Sequence, residues 1–353
     1  MSDTAAPSGG RPAWLSRLAS WDAAVILVTV VVLLVASGAV DNFGTSRNYT
    51  FLLLDLLPIA LIALPMTFII VTGEIDLSVA STLGLTSAVM GSLWNTGMTI
   101  ESIIPISIVL GAVLGAVNGF FVTVLKLPSL AVTIGTMALY RGLAFVVLGD
   151  GAVADFPRAY TSWVTGTLGG GPIPNVLVPL VVLALVFGVV LHATPIGRAV
   201  FAAGASEQAA RFAGVRTGRL KFWLYVVCGA MSGLAGVLWT LRYSSARADN
   251  GFGMELAVVA AVLLGGVSIF GGKGTLPGVL AGVVLLAGLQ NALRLQDVSN
   301  EALNIVTGVL LIVSVLLPNI LSSARAALRR RRRRSPSPDP PSSDPGVLAG
   351  IEQ

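Results

Sequence analysis

The stretch GEIDLSVAS, residues 73–81, decides how this chain is read, because two carboxylates, Glu74 and Asp76, stand between an apolar run beginning at Phe51 and another continuing to Trp94. Charge in that position is costly in a membrane and ordinary in water, so the solvent has to be settled first. Of 353 residues, 55% are hydrophobic and only 11% charged, and the mean hydropathy is +0.87. A soluble domain carries about 25% charged residues. The chain is therefore an integral membrane protein. A hydrocarbon core of about 30 Å takes some 17–25 apolar residues per helix, and only helices or closed barrels satisfy the backbone there. The apolar runs are too long for barrel strands, and the fold class is all-α and polytopic.

Ten spans follow from the runs: 23–40, 51–71, 77–94, 103–125, 130–148, 176–191, 222–241, 256–270, 276–293 and 303–317. Arg11 and Arg17 precede the first, which is longer than a signal-peptide core and reads as an uncleaved span. Placing both termini in the cytoplasm puts most of the 22 Lys and Arg inside, among them Lys126, Arg198, Arg211, Arg216, Arg219, Lys221 and Lys273, against Arg47, Arg158, Arg242, Arg247 and Arg294 outside. The organisation expected is a cytoplasmic segment 1–20, a transmembrane domain 21–320 with a cytoplasmic loop 194–221, and a tail 321–353. The tail, with arginines at 329–334 followed by SPSPDPPSSDPG, has no apolar content to fold around and is expected to be disordered. A run of arginines suits nucleic acid or membrane; beside a last span it reads as an anchor on anionic lipid, and no nucleic-acid partner is expected.

Spans 256–270 and 303–317 are short, the kind of segment tolerated where protein or a water-filled cavity satisfies the backbone. A likeness between GAVLGAVNGFFVTVLKL, residues 111–127, and GVLAGVVLLAGLQNALRL, residues 278–295, falls in spans four and nine. An offset of five spans reverses direction, so a five-plus-five inverted repeat is expected. Gly-x-x-x-Gly is also common wherever helices pack closely.

Several chemistries are excluded. With one histidine, His192, and one cysteine, Cys228, the chain has no means to build a metal cluster of those ligands, a disulfide or a Cys-His pair. GGVSIFGGKG, residues 265–274, fails as a nucleotide loop: the position that needs the first glycine is Val267, and Gly274 follows Lys273 where Ser or Thr is required. It reads as a glycine turn, and any ATP belongs to another chain.

The loop TPIGRAVFAAGASEQAARFAGVRTGRLKFW, residues 194–223, holds a short helix over 206–213 by its signals. Ser206 is a good N-cap, Glu207 sits at the positive end, and Arg211 lies four residues on. Gly204 and Gly214 bracket it. Within the spans, Asp55 and Arg141 lie in the same expected outer half and make an attractive pair, and Asn118, Thr136, Gln290, Asn291 and Asn304 suit either a hydroxylated substrate or helix–helix hydrogen bonds. Asn118 and Asn291 stand out because the repeat brings both forward.

Three blocks in order resemble the permease subunits of bacterial ABC importers for monosaccharides, the ribose, xylose, rhamnose and autoinducer-2 group. They are TGEIDLSVAS from Thr72, GASEQAARFAGVRTGRLKFWLYVVCGAMSGLAGVL from Gly204, and ELAVVAAVLLGGVSIFGGKGTLPGVLAGVVLL from Glu255, in a likeness running over 51–318. Many members have glycine where this chain has Glu74 and Ala80. The resemblance implies a non-catalytic subunit: an extracytoplasmic binding protein delivers the sugar, two permeases, identical or related, form the pathway in the cytoplasmic membrane, and a separate ATPase holds ATP and magnesium. It implies that Gly204, Glu207, Ala210, Arg211 and Gly214 belong to the helix that couples to the ATPase. The chain needs no cofactor of its own. Asp55, Glu74, Asp76, Asn118 and Asn291 are the pathway or gate candidates, with Asp76 capping span three as part of a hinge and Pro65 loosening the helix before it. Permeases for branched-chain amino acids or nucleosides, and a carrier coupled to an ion through Asp55, Glu74 or Asp76, are the alternatives.

Overall fold

The computed structural model describes residues 21–333, with side chains as far as 316, so the segment 1–20 and the tail beyond Arg333 lie outside the described residues. Its helices are α1 Trp21–Ala39, α2 Ser46–Val71, α3 Val79–Asn95, α4 Ile100–Thr123, α5 Ser129–Leu148, α6 Arg158–Thr165, α7 Leu177–Ala193, α8 Pro195–Ala205, α9 Glu207–Phe212, α10 Thr217–Tyr243, α11 Met254–Leu264, α12 Leu276–Arg294 and α13 Asn300–Arg333. A two-residue ribbon, β1 Ala152–Val153 with β2 Ala246–Arg247, is antiparallel. The chain forms one compact unit to Ser314, and a second, Val315–Gln353, described only by the continuation of α13.

Six helices, α1, α2, α4, α5, α10 and α12, are long and apolar enough to cross a membrane; α7 and α8 make a seventh, bent by 65°; α11 and Asn300–Leu316 are shorter apolar helices. With the 17-residue α3, these stand where the ten spans were expected. The protein is a polytopic all-α membrane protein.

α2 is apolar around its whole circumference, and from Leu56 to Val71 every residue is buried, so it forms the axis of the bundle. α10 runs antiparallel beside it, since Glu74 just past the end of α2 meets Lys221 at the start of α10, while Asp55 meets Arg242 at the other end. The 21 residues between Lys221 and Arg242 rise about 32 Å, close to the hydrocarbon thickness. α10 makes its most extensive contact with α4. There Gly111 and Gly115 cross Gly229 and Gly233 so closely that a Cβ on Gly115 would lie 2.2 Å from the Tyr225 carbonyl.

Two breaks interrupt the bundle. One is the segment 72–78 between α2 and α3, at the Lys221 end. The other is 244–253 between α10 and α11, at the Arg242 end, and it folds back inward until Gly251 packs on Leu83 and Ala80. The breaks lie five spans apart and open to opposite ends, as an inverted repeat requires.

The structure corrects several expectations. Span 303–317 is short as an apolar segment, but the helix does not end with it: the arginine-rich residues that follow keep helical propensity and extend α13 to 34 residues. For the same reason the segment expected to be disordered from 321 is helical as far as Arg333. α2 holds Pro58 and Pro65 within its length and continues to Val71 inside a shell of neighbouring helices. The loop 194–221 is mostly helix, as α8 and α9. Span 256–270 is shorter than expected, since α11 stops at Leu264 before a turn with positive φ at Gly266, Gly271, Gly272 and Gly274.

Candidate functional site

The break at 72–78 replaces its lost helical hydrogen bonds with side chains from three other helices. The Asp76 carboxylate is buried and accepts from the Ser78 N–H at 2.9 Å and the Ser78 hydroxyl at 2.7 Å, turning the chain into α3. Ser78 is the N-cap by position, and its hydroxyl also accepts from Asn118 Nδ2 of α4 at 2.7 Å. The Ile75 N–H donates to Ser129 Oγ, and the Ile75 carbonyl accepts from Thr133 of α5 and from the Tyr225 hydroxyl of α10. Asn118 Oδ1 is buried and has no partner among the described residues.

Glu74 ties this break to α9. Lys221, its side chain 7% exposed, donates to Glu74 Oε1 at 2.7 Å and to Glu207 Oε2 at 2.6 Å. Glu207 in turn pairs with Arg211 and accepts from Thr217. The hydrogen bond from Lys221, with its charge and that of Arg211, holds the Glu207 carboxyl below the ordinary range. Ser206 caps α9 by accepting from the Ala209 N–H, which matches the sequence signals. The bridge is not legible in the sequence, where Lys221 carries only a positive-inside signal and its partner Glu74 lies 147 residues away.

Of the five residues expected on the coupling helix, Glu207, Ala210 and Arg211 lie on α9, Gly204 lies near the end of α8, and Gly214 follows α9 in the turn. Gly204, Glu207 and Ala210 point into the protein: a Cβ on Gly204 would meet the Val71 carbonyl and Gly272, where the Gly272 N–H bonds to Val71 at the end of α2. Arg211 and Gly214 are exposed, together with Gln208, Ala209 and Phe212. Phe212, 85% exposed, escaped the sequence reading; a lone aromatic in an alanine-rich helix outside the spans was the available signal.

At the other end, Asp55 does not pair with Arg141. It pairs with Arg242 of α10 and, at 3.1 Å, with Arg294 of α12. Arg141 instead donates to the carbonyls of Ala248 (2.7 Å), Asn250 (2.9 Å) and Ala80 (3.2 Å), satisfying the backbone of the inward-folded 244–253 segment. Five donors in a planar fork suit that task. Asn250 adds a 2.8 Å bond to Ser87. Above this segment opens a cavity of about 480 Å³, walled by Asp55, Trp239, Tyr243, Asn250, Gln290 and Asn304 among others. A second pocket of about 310 Å³ lies at the Glu74–Lys221 end.

The remaining polar candidates serve helix contacts. Asn291 exchanges two hydrogen bonds with Asn48 of α2, at 2.8 and 3.2 Å. Gln290 bonds Thr307, and Thr136 bonds carbonyls of its own helix. Asn118 and Asn291 are thus in separate places, one in each half of the bundle. His192, exposed in the last turn of α7, accepts at Nε2 from the Leu276 N–H at 3.2 Å, at the first turn of α12. Cys228 is buried and free. Among the described residues no group of three or more His, Cys, Asp or Glu is placed to hold a metal.

Comparison with known proteins gives a consistent set of relatives. The ribose import permease protein RbsC of Haemophilus influenzae is 34% identical over 309 residues, 87% of this chain and 94% of the relative. The autoinducer 2 import system permease protein LsrD of Yersinia enterocolitica is 35% identical over 267 residues, 74% of this chain and 80% of the relative. LsrD of Escherichia coli K12 is 34% identical over 302 residues, 84% and 91% respectively. No solved structure matches the chain. The sequence family described as branched-chain amino acid transport system / permease component matches residues 48–315, from the first turn of α2 into α13. Both breaks, the Lys221 bridge and the cavity lie inside that match, and the chain belongs to this permease family.

Proposed function

We propose that the protein is the membrane-spanning permease of an ATP-driven importer for a monosaccharide or sugar-like molecule, supplied by an extracytoplasmic binding protein. A second permease, the same or related, completes the pathway, and a separate ATPase supplies ATP hydrolysis. In this reading α8 and α9 face the cytoplasm, as do both termini, and the 480 Å³ cavity faces outward.

The Lys221 bridge is the observation that carries the mechanism. A six-residue helix held outside the spans, exposing Gln208, Ala209 and Phe212, is joined by one buried ammonium to the only charged side chain of the inner break that reaches it. A push on α9 from an ATPase therefore reaches the 72–78 segment directly. Gly204 seats the end of α8 against Val71 and supports the same route.

The sugar class follows the relatives' names and suits the cavity. The charged side chains of its lining balance two and two, Asp55 with Arg294 and Asp249 with Arg247, and Arg242 behind Asp55 adds one further positive charge. What remains is the aromatic pair Trp239 and Tyr243 beside the Asn304 amide and the amide carbonyls of Asn250 and Gln290, whose amino groups are engaged by Ser87 and Thr307. Aromatic faces beside amides fit a neutral polyol, with its C–H face and hydroxyl rim, better than the zwitterion of an amino acid. An ion-coupled carrier needs an uncommitted carboxylate, whereas Asp55 and Glu74 are ion-paired and Asp76 is committed to Ser78.

The test is affinity purification from native membranes followed by reconstitution into proteoliposomes. Co-purification of an ABC ATPase, and ribose uptake that needs ATP and survives an uncoupler, is the expected outcome. Isolation of this chain alone, with uptake abolished by the uncoupler while ATP is maintained, overturns the proposal.

A further inference from the structure

On the face of α10 opposite the Lys221 bridge, a cleft of about 500 Å³ lies between α2, α7 and α10. Its walls are Pro65 and Phe68 of α2, Val186, Phe187 and Val190 of α7, and Leu220, Trp223, Leu224 and Val227 of α10, with Ile196 of α8 closing one side. Arg216 and Arg219 line the same cleft at one end only. Their steps along α10, from 216 through 219 and 223 to 227, follow one helical face over about 16 Å, half of a 30 Å hydrocarbon core. The cleft therefore has the depth of one leaflet, cationic at its aqueous end and apolar beyond. Trp223, 56% exposed, stands between the two zones, where indoles settle in membranes.

Both arginines are placed against the helix. They occupy the N-cap and first turn of α10, where the macrodipole disfavours cations. Lys221 in the same turn has two carboxylates to offset this, but Glu74 and Glu207 are committed to it and to Arg211 on the far side. Among the described residues Arg216 and Arg219 have no ion pair and no side-chain hydrogen bond. An anion from outside the chain is what this arrangement lacks.

We infer that this cleft is a binding site for one anionic phospholipid, whose acyl chain lies along α10 between α2 and α7 and whose phosphate sits between Arg216 and Arg219. The site is independent of the transported substrate and of the arginine-rich tail. Its occupant braces α10 against the bent pair α7 and α8.

The test uses the full chain in nanodiscs containing equal phosphatidylglycerol and phosphatidylcholine, released into native mass spectrometry. Wild type is expected to retain one phosphatidylglycerol. The double variant Arg216→Gln with Arg219→Gln loses about 30-fold in headgroup preference, from the attraction of two basic residues to anionic lipid. Val190→Phe, which fills the apolar part, loses retained lipid of either headgroup, with folding checked by the melting curve described below. Equal retention of both lipids by wild type overturns the inference, and so does an unchanged preference in the double variant. A benzophenone side chain at position 227 that crosslinks to a polypeptide instead of lipid overturns it as well, by showing a protein occupant.

Discussion

Replacing Lys221 with methionine keeps most of the side-chain volume and removes the ammonium that holds Glu74 and Glu207 together. Stripping one partner from a fully buried ion pair costs about 3–5 kcal/mol. Here the carboxylates are 19% and 37% exposed and Glu207 keeps Arg211, so solvent offsets part of the loss and roughly 1–3 kcal/mol is expected. The chain supplies its own reporter, because its one cysteine is Cys228, which is 0% exposed. A thiol-reactive fluorogenic dye therefore reads unfolding during a thermal ramp in detergent. Lys221→Met should melt earlier than wild type, and adding Glu74→Gln should recover part of the loss, since one of the two stranded charges is gone. Glu74→Gln alone should cost less than Lys221→Met, because Lys221 retains Glu207. In proteoliposomes with the ATPase, Lys221→Met should lower sugar uptake per ATP hydrolysed. A variant that melts and transports like wild type refutes the reasoning and makes the bridge incidental.

Three further outcomes follow from the same geometry. The Glu207 carboxyl is held below its ordinary value of 4.5, first by the Lys221 hydrogen bond, so the stability it supplies is complete above that value and is lost as pH falls through the lowered one; Glu207→Gln should flatten this acid limb in dye melts taken across it. Gly115→Ala places a Cβ 2.2 Å from a backbone carbonyl that has little room to yield, and should cost about 1–3 kcal/mol or abolish folded yield, whereas Gly135→Ala, with nothing within 4 Å, should be silent. Arg141→Lys keeps the charge but not the planar fork, so the carbonyls of Ala248, Asn250 and Ala80 are not all reached; a loss of about 1–3 kcal/mol is expected in the same melts.

The spans were legible because hydropathy is local: a run such as 51–71 announces a buried helix without its neighbours. The α9 cap was legible for the same reason, since Ser206, Glu207 and Arg211 interact within one turn. What escaped were pairings set by tertiary approach. Asp55 and Arg141 had matching charge and depth, yet depth says nothing about azimuth, and Asp55 faces α10 and α12 while Arg141 faces the inward-folded 244–253 segment. That segment was invisible for a related reason: SSARADNGFG, residues 244–253, is polar enough to read as a surface loop, and it is kept inside only because Arg141, Ser87 and its own bonds satisfy it.

Charge at Glu74 and Asp76 now has a physical reason. An unbroken span satisfies its own backbone and is indifferent to small shifts of its neighbours, whereas the 72–78 break depends on side chains of α4, α5 and α10, so moving those helices changes its energy. The 244–253 break depends on α5 as well, through Arg141. Ser129 and Arg141 are 12 residues apart on one continuous helix, about 18 Å, so α5 holds a break of each end on a single rigid strut. A displacement of α5 that loosens Ile75 from Ser129 and Thr133 must also shift the carbonyls that Arg141 grips. Alternating access requires that one end open as the other closes. Under the proposed function, a strut shared by both breaks supplies that linkage, and the Glu74–Lys221–Glu207 bridge is where α9 meets the 72–78 break.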